Sequence, residues 1–249
     1  MLPIKINDCD ITTDDLYLYS QCPRKYSYSI ENRLSESLPL DIVLTNKCIQ
    51  TLYTSENLYA GELTLKSLQE FVDTIVFRSV PSLETEKEFE EAYSLSSRVL
   101  ALVSSWYTKI YVIDNYVTAL PNIILKTEIA GHMLKTSIPM ILVKPNNKIS
   151  LVYFSNIDMS GAEIYNDIRY QAIIYLTYKE LGIVPKIEYL VYSERAVYLR
   201  TCTVHDSVKF IKKIEKILGQ LCNGIHHKIF YLSKTNHCDD CIFLKNCSL

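Results

Sequence analysis

The chain is short of glycine, with six in 249 residues and none of them clustered. That removes the Gly-rich loops that cradle nucleotide phosphates, so nucleotide hydrolysis has no support here. Tryptophan occurs once, against 19 tyrosines. Charge is nearly balanced at a formal net of −2, so no global field draws nucleic acid to the chain, and any such binding needs local basic patches. No apolar run is long enough to span a bilayer, and the opening MLPIKINDCD carries acids where a secretion leader needs positive charge. These absences predict a soluble, cytoplasmic protein of a cell or of its virus. Repeats, low-complexity tracts and Pro/Gly/Ser linkers are also missing, which predicts one domain.

What is present is a folded composition, 48% apolar and 22% charged, in a chain long enough to bury a sizeable core. Residues 1–120 read as mainly helical. In ITTDDLYLYSQCPRKYSY, Thr12 or Thr13 supplies an N-cap, with Leu16, Tyr19 and Cys22 at three-residue steps before Pro23 ends or bends the helix. Helical spacing returns in PLDIVLTNKCIQTLYTSENL, in LTLKSLQEFVDTIVFRSV, and across EKEFEEAYSLSSRVLALVSSWYTKIYV.

The texture changes over residues 121–204. NIILKTEIAGHMLK, SIPMILVK and KISLVYFS are β-branched and aromatic, and KPNNK makes a turn, which predicts an antiparallel meander. GAEIYNDIRYQAIIYLTYKELG reads as one helix ended by Gly182, followed by the strand pair KIEYLVYSE and AVYLRTCTV. Residues 205–249 open with a helix placing Val208, Ile211, Ile214, Leu218 and Leu221 on one face. Lys209, Lys212, Lys213 and Lys216 lie largely opposite, most simply as a solvated polar face and alternatively as phosphate contacts. The class is mixed α/β.

Eight cysteines stand at 9, 22, 48, 202, 222, 238, 241 and 247. A disulfide framework belongs to small exported domains, which this chain is not. Cys9, Cys48, Cys202 and Cys222 read as buried thiols. The tail NHCDDCIFLKNCSL, with its C-x2-C-x5-C spacing, reads as metal-ligating, because two thiolates so spaced converge on one centre. A local fourth ligand is His237, giving a Cys3His zinc site. A distant one is Cys22.

The CPRKYSY context of Cys22, together with the C-terminal Cys238, Cys241 and Cys247, resembles the iron–sulfur branch of the RecB-like PD-(D/E)XK nucleases. That branch includes the CRISPR-associated RecB-like exonucleases and the C-terminal nuclease domain of AddB helicase–nucleases. The resemblance implies a restriction-endonuclease-like mixed sheet flanked by helices, with the chain ends joined by a [4Fe–4S] cluster on those four cysteines. QAIIY matches the family's Q-x-x-x-Y motif. Gln171 and Tyr175 are then expected to share a helix face and address a phosphate, as are Arg169 beside them and Arg24 and Lys25 beside the cluster.

Active members of the family need an Asp, then an Asp/Glu and a Lys on the next strand, to hold Mg2+ or Mn2+ and orient the attacking water. Aligned by hydrophobic pattern, this chain places Pro139 at the first acid, Tyr153 at the second and Ser155 at the lysine. The upstream helix DIVLTNKCIQTLY lacks the usual histidine. The expectation is a catalytically degenerate nuclease homologue without a Mg/Mn site, serving as a noncatalytic nucleic-acid-binding or structural subunit of a larger DNA- or RNA-processing complex. The alternative is an active metal-dependent exonuclease with displaced acids, Glu128 and Asp158. His132 and His205 read as lone histidines, and His226 and His227 as a poor joint metal site.

Overall fold

The computed structural model describes residues 10–32, 39–54, 64–80, 84–112, 118–144, 147–193 and 195–231, and beyond them Cys238, Cys241, Phe243 and Cys247. Cys9 and His237 lie outside the described residues.

The N-terminal part opens with a two-residue strand, β1 (Ile11–Thr12), then α1 (Thr13–Gln21) and α2 (Pro23–Asn32). Thr12 caps α1: its hydroxyl accepts from the Asp15 N–H at 3.1 Å, and the Asp15 carboxylate accepts from the Thr12 N–H at 2.8 Å. Pro23 opens α2, a position where its missing N–H costs nothing. Three longer helices follow, α3 (Leu40–Thr54), α4 (Leu65–Ser79) and α5 (Glu86–Trp106), the last continued by a π-helical turn over Tyr107–Val112. Thr85 and Glu88 repeat the reciprocal cap at the start of α5.

The meander is β2 (Thr118–Ile129), β3 (His132–Val143) and β4 (Ile149–Ser155). Then come α6 (Gly161–Asn166), α7 (Ile168–Leu181), β5 (Lys186–Ser193), β6 (Ala196–Cys202) and α8 (Ser207–His226). The segment expected as one helix is two, because Asp167 leaves helical geometry and caps α7 with its side chain. Gly182 ends α7 at φ 71°, the left-handed conformation that glycine adopts without strain.

One six-stranded mixed sheet runs β2-β3-β4-β5-β6, with β4 and β5 parallel and the other neighbours antiparallel. β1 pairs in parallel with β3 at Leu134 and Lys135. Helices α1, α7 and α8 bury one face of the sheet through Leu16, Tyr19, Ile174, Tyr175, Ile214 and Leu218. Helices α3, α4 and α5 bury the other through Ile49, Val72, Val99 and Trp106. The buried stripe of α8 starts two residues later than expected, at Phe210, while Val208 is 66% exposed. None of the described helices is long and apolar enough to cross a membrane.

The β2–β3 hairpin changes faces part-way along. Leu134 and Ile138 pack toward α1 and α7, but Met140 and Leu142 pack toward α3–α5. A two-residue step keeps a side chain on one face, so the strand must be interrupted between 138 and 140. Pro139 stands there without an N–H, and Asn122 faces it at φ 52°. The ladder passes from Pro121↔Met140 to Ile123↔Ile138 without pairing them.

Candidate functional site

The three positions expected to have lost catalytic groups come together. Pro139 and Tyr153 lie one step beyond the Met140↔Val152 pair of adjacent strands, and Ser155 ends β4. Tyr153 points to the α7 side, where its ring meets Tyr170 edge-on at 5.4 Å. Tyr170 meets Tyr189 of β5 in the same manner at 5.7 Å, and the Tyr189 hydroxyl donates to the Met159 sulfur at 3.7 Å. The Tyr153 hydroxyl is buried with no hydrogen-bond partner among the described residues. Burial pushes its pKa up, with the nearby Asp14 charge adding to it, and burial likewise raises Tyr170. The Ser155 hydroxyl accepts from the Ile157 N–H at 2.9 Å and so shapes the turn after β4. An aromatic stack of Tyr153, Tyr170 and Tyr189 fills this part of the sheet.

The displaced acids do not meet. Glu128 is exposed on edge strand β2, opposite Met133. Asp158 is held by Arg200 of β6 through two bonds of 3.0 and 2.8 Å, which keep its carboxyl below the usual range. Glu128 thus belongs to edge strand β2, while Asp158 follows β4 and is engaged by the opposite edge strand, β6.

Sequence reasoning missed a buried carboxylate. Glu188 on β5 is 1% exposed and accepts from Lys186 at 2.8 Å and from the Ser150 hydroxyl at 3.2 Å. It pairs with Val152, so it faces the α3–α5 layer, away from Tyr153. The one signal was a Glu inside the apolar run KIEYLVYS. It is a satisfied interior ion pair. His132 is not a lone histidine either. Its ring lies 4.4 Å from that of His226, and its Nε2 is 2.8 Å from Asn223 Oδ1.

The four clustered-motif cysteines are half-buried at one corner of the molecule. Cys22 sits between α1 and α2, and its sulfur accepts from the Lys25 N–H at 3.4 Å, the place an N-cap side chain takes. The Cys241 N–H donates to the Cys238 carbonyl at 3.1 Å, closing a turn that brings the two thiols round. Phe243, 6% exposed, packs against Tyr28 of α2 at 5.4 Å and docks the tail there. Burial raises the Cys247 thiol pKa, and Cys22, Cys241 and Cys238 raise it further, while Arg24 opposes them. Cys22, Cys238 and Cys241 are therefore all within electrostatic reach of Cys247. Among the described residues no group of three or more His, Cys, Asp or Glu side chains is drawn together as a metal site. As a donor set, four thiols with a backbone N–H on one sulfur and a guanidinium alongside fit a soft metal or an iron–sulfur centre.

Packing links α1 and α2 to the segment after α8. The Tyr19 hydroxyl donates to the Ile229 carbonyl at 2.8 Å, and Phe230 packs against the rings of Tyr19 and Tyr26 at 6.4 and 6.1 Å.

The expected nucleic-acid contacts divide. Arg169 is tied to Asp167 at 2.6 Å and stacked 3.8 Å over the Tyr17 ring, which occupies its charge internally. Tyr175 is fully buried and its hydroxyl donates to Glu215 at 2.6 Å. Of the Gln171–Tyr175 pair only Gln171 reaches a groove, its Nε2 donating to the Tyr165 carbonyl at 2.9 Å. Arg24 stays exposed beside the cysteine corner, its Nε 3.3 Å from the Tyr28 hydroxyl. Lys25 is placed there by its backbone bond to Cys22.

No protein-family profile matches the sequence, and no curated protein does. The architecture does have solved counterparts. A crystal structure of a "Putative exonuclease" from Eubacterium rectale superposes with a TM-score of 0.54 at 12% identity, over 98% of this chain and 90% of that one. This chain shares that structure's fold. The crystal structure of SSO0001 superposes with a TM-score of 0.42 at 14% identity, over 96% of this chain and 85% of that one. Identity this low speaks for architecture alone.

Proposed function

We propose that this chain is a nuclease-type scaffold without nuclease catalysis, a noncatalytic nucleic-acid-binding or structural subunit of a larger DNA- or RNA-processing assembly. One observation carries the reading. Where the catalytic acids and lysine of such a fold are expected stand Pro139, Tyr153 and Ser155, and the Tyr153 hydroxyl is sealed in a stack of tyrosines. Phosphodiester hydrolysis in this fold type needs carboxylates to hold a divalent cation, and none of these three side chains is one.

In this reading Cys22, Cys238, Cys241 and Cys247 hold a [4Fe–4S] cluster whose contribution is a covalent staple between the chain ends. Cys22 belongs to the α1–α2 corner, and the other three follow α8. The cluster adds to a junction that Tyr19, Phe230 and Phe243 already make. Arg24 beside Cys247 offsets part of the negative charge that thiolate ligation brings. Zinc on three cysteines and His237 is the other soft-metal solution, and metal analysis separates the two.

Strand cleavage with Mg2+ and Mn2+ tests the reading against displaced catalysis. The proposal expects no metal-dependent product. Turnover that disappears in Glu128→Ala or Asp158→Ala would sink it.

A further inference from the structure

The nuclease-like face is closed by tyrosines, but another surface is open. A groove of about 720 Å³ runs between α6–α7, the end of β6 and the first turns of α8. Its volume is that of a ligand pocket, enough for a short run of single strand and too small for a duplex. We propose that this groove binds single-stranded nucleic acid, with lysines of α8 on the phosphates and Tyr165 beneath a base. The inference extends the reading of a nucleic-acid-binding subunit by placing the contact surface away from the cysteine corner.

Charge is the first observation. Lys209, Lys212, Lys213 and Lys216 recur at helical spacing and form one exposed stripe about 10 Å long. None of the four meets an acid among the described residues. Several lysines elsewhere do meet acids: Lys126 and Lys135 pair with Asp10, Lys179 with Glu215, and Lys186 with Glu188. Glu215, the acid within α8, is turned away to Tyr175 and Lys179. Lys209 and Lys213 of the stripe line the groove itself. Asp206 is the one acid among its lining residues, and its carboxylate accepts from the Lys209 N–H at 3.0 Å as the helix cap. A row of unpaired cations on a groove is what a polyanion backbone needs.

The rest of the groove fits bases. Tyr165 is 38% exposed, and its ring is backed at 5.6 Å by buried Phe210, which makes it a supported stacking platform. The Gln171 amide is fixed by its bond to the Tyr165 carbonyl, leaving its own carbonyl oxygen for a base edge or a ribose hydroxyl. His205 adds a further polar group. The wall is set by Gly161, where a Cβ would lie 2.5 Å from the Thr201 carbonyl oxygen, so α6 can cross β6 this closely only with glycine.

The test is fluorescence anisotropy of short labelled single-stranded DNA and RNA of one sequence, titrated with the full chain at several salt concentrations. Lys209→Glu/Lys213→Glu should weaken binding roughly tenfold or more and reduce the salt slope by about 1.4, the value of two single-strand phosphate contacts. Lys209→Arg/Lys213→Arg should keep both. Tyr165→Ala should cost roughly fivefold or more without changing the slope. Tighter binding of RNA than of DNA would assign Gln171 to the ribose, and equal binding would assign it to the base; either result supports the groove. Unchanged affinity in the double reversal, with an unchanged melting curve, overturns it. So does competition by poly-glutamate equal to that of the oligonucleotide, which would mark a protein partner. Wild-type protein that binds neither strand also overturns the inference, while the absence of cleavage is decided separately.

Discussion

The ring of Tyr153 meets that of Tyr170 at 5.4 Å and 80°, and its hydroxyl ends inside the protein without a hydrogen-bond partner among the described residues. Leaving a buried hydroxyl unpaired costs about 1–3 kcal/mol, so this position bears a penalty that the surrounding rings offset. A bare carboxylate in the same surroundings would cost more. The environment is built for an aromatic side chain and against an acid.

Tyr153→Phe keeps the edge-to-face contact and removes the unpaired hydroxyl. It should leave stability unchanged or raise it by about 1 kcal/mol in urea unfolding, whereas Tyr153→Ala should lose about 3–5 kcal/mol to a cavity. A large loss in the Phe variant would mean that the hydroxyl has a partner the structure does not show.

Where α1 meets α8, a Cβ on Gly224 would clash with the Tyr19 hydroxyl oxygen. Tyr19 is 5% exposed, held between Tyr26 and Phe230 and bonded to Ile229, so it has little room to yield. Gly224→Ala should therefore destabilise by about 1–3 kcal/mol despite alanine's better helix propensity. Tyr19→Phe should recover part of that loss in the double variant, a coupling of at least about 0.5 kcal/mol. Strictly additive effects would separate the two residues.

The cysteines should sort by chemistry. Burial pushes the thiol of Cys48 up to about 12 and those of Cys202 and Cys222 up to about 11, so at pH 8 all three should resist alkylation until the chain unfolds. Anaerobically purified protein should be brown, with about four iron and four sulfide per chain. Oxidative removal of the metal should lower the melting temperature and open Cys22, Cys238, Cys241 and Cys247 to mass-spectrometric labelling. One zinc in a colourless protein, with Cys22 labelled from the start, points to the local site instead.

Acid should weaken the α7–α8 contact. The Tyr175 hydroxyl, then Lys179, hold Glu215 below its ordinary carboxylate range. A depressed folded pKa means the contribution is complete above the unfolded value near 4.5 and lost as pH falls through the lower folded value. Glu215 is 47% exposed on its side chain, so solvent screening keeps the effect under about 1 kcal/mol. Unfolding curves from pH 7 to 3 should be flatter for Glu215→Gln; parallel curves would remove this pair from the acid limb.

Much of the frame was legible because its signals are local. Thr12 with Asp15, and the αL glycine at 182, act within a few residues, and the meander declares itself by composition. The missing parts depend on distant partners. β1 is two residues that become a strand only against Leu134 and Lys135. Val208 fits the apolar period of α8 yet stands in solvent, because burial there depends on what the helix packs against. Glu188 is tolerated in an apolar strand because Lys186 and Ser150 meet it there. The Q-x-x-x-Y spacing set Gln171 and Tyr175 on neighbouring turns, yet Glu215, 40 residues on, decides that Tyr175 faces inward.

Product formation from end-labelled single- and double-stranded DNA, with Mg2+ or Mn2+ and iron-loaded protein purified anaerobically, is the most direct test of a nuclease-like fold without catalysis. The fold and the tyrosine stack predict product no greater than in the protein-free control at any time. Sustained, metal-dependent cleavage that co-purifies with the chain and is lost in Glu128→Ala or Asp158→Ala would contradict it.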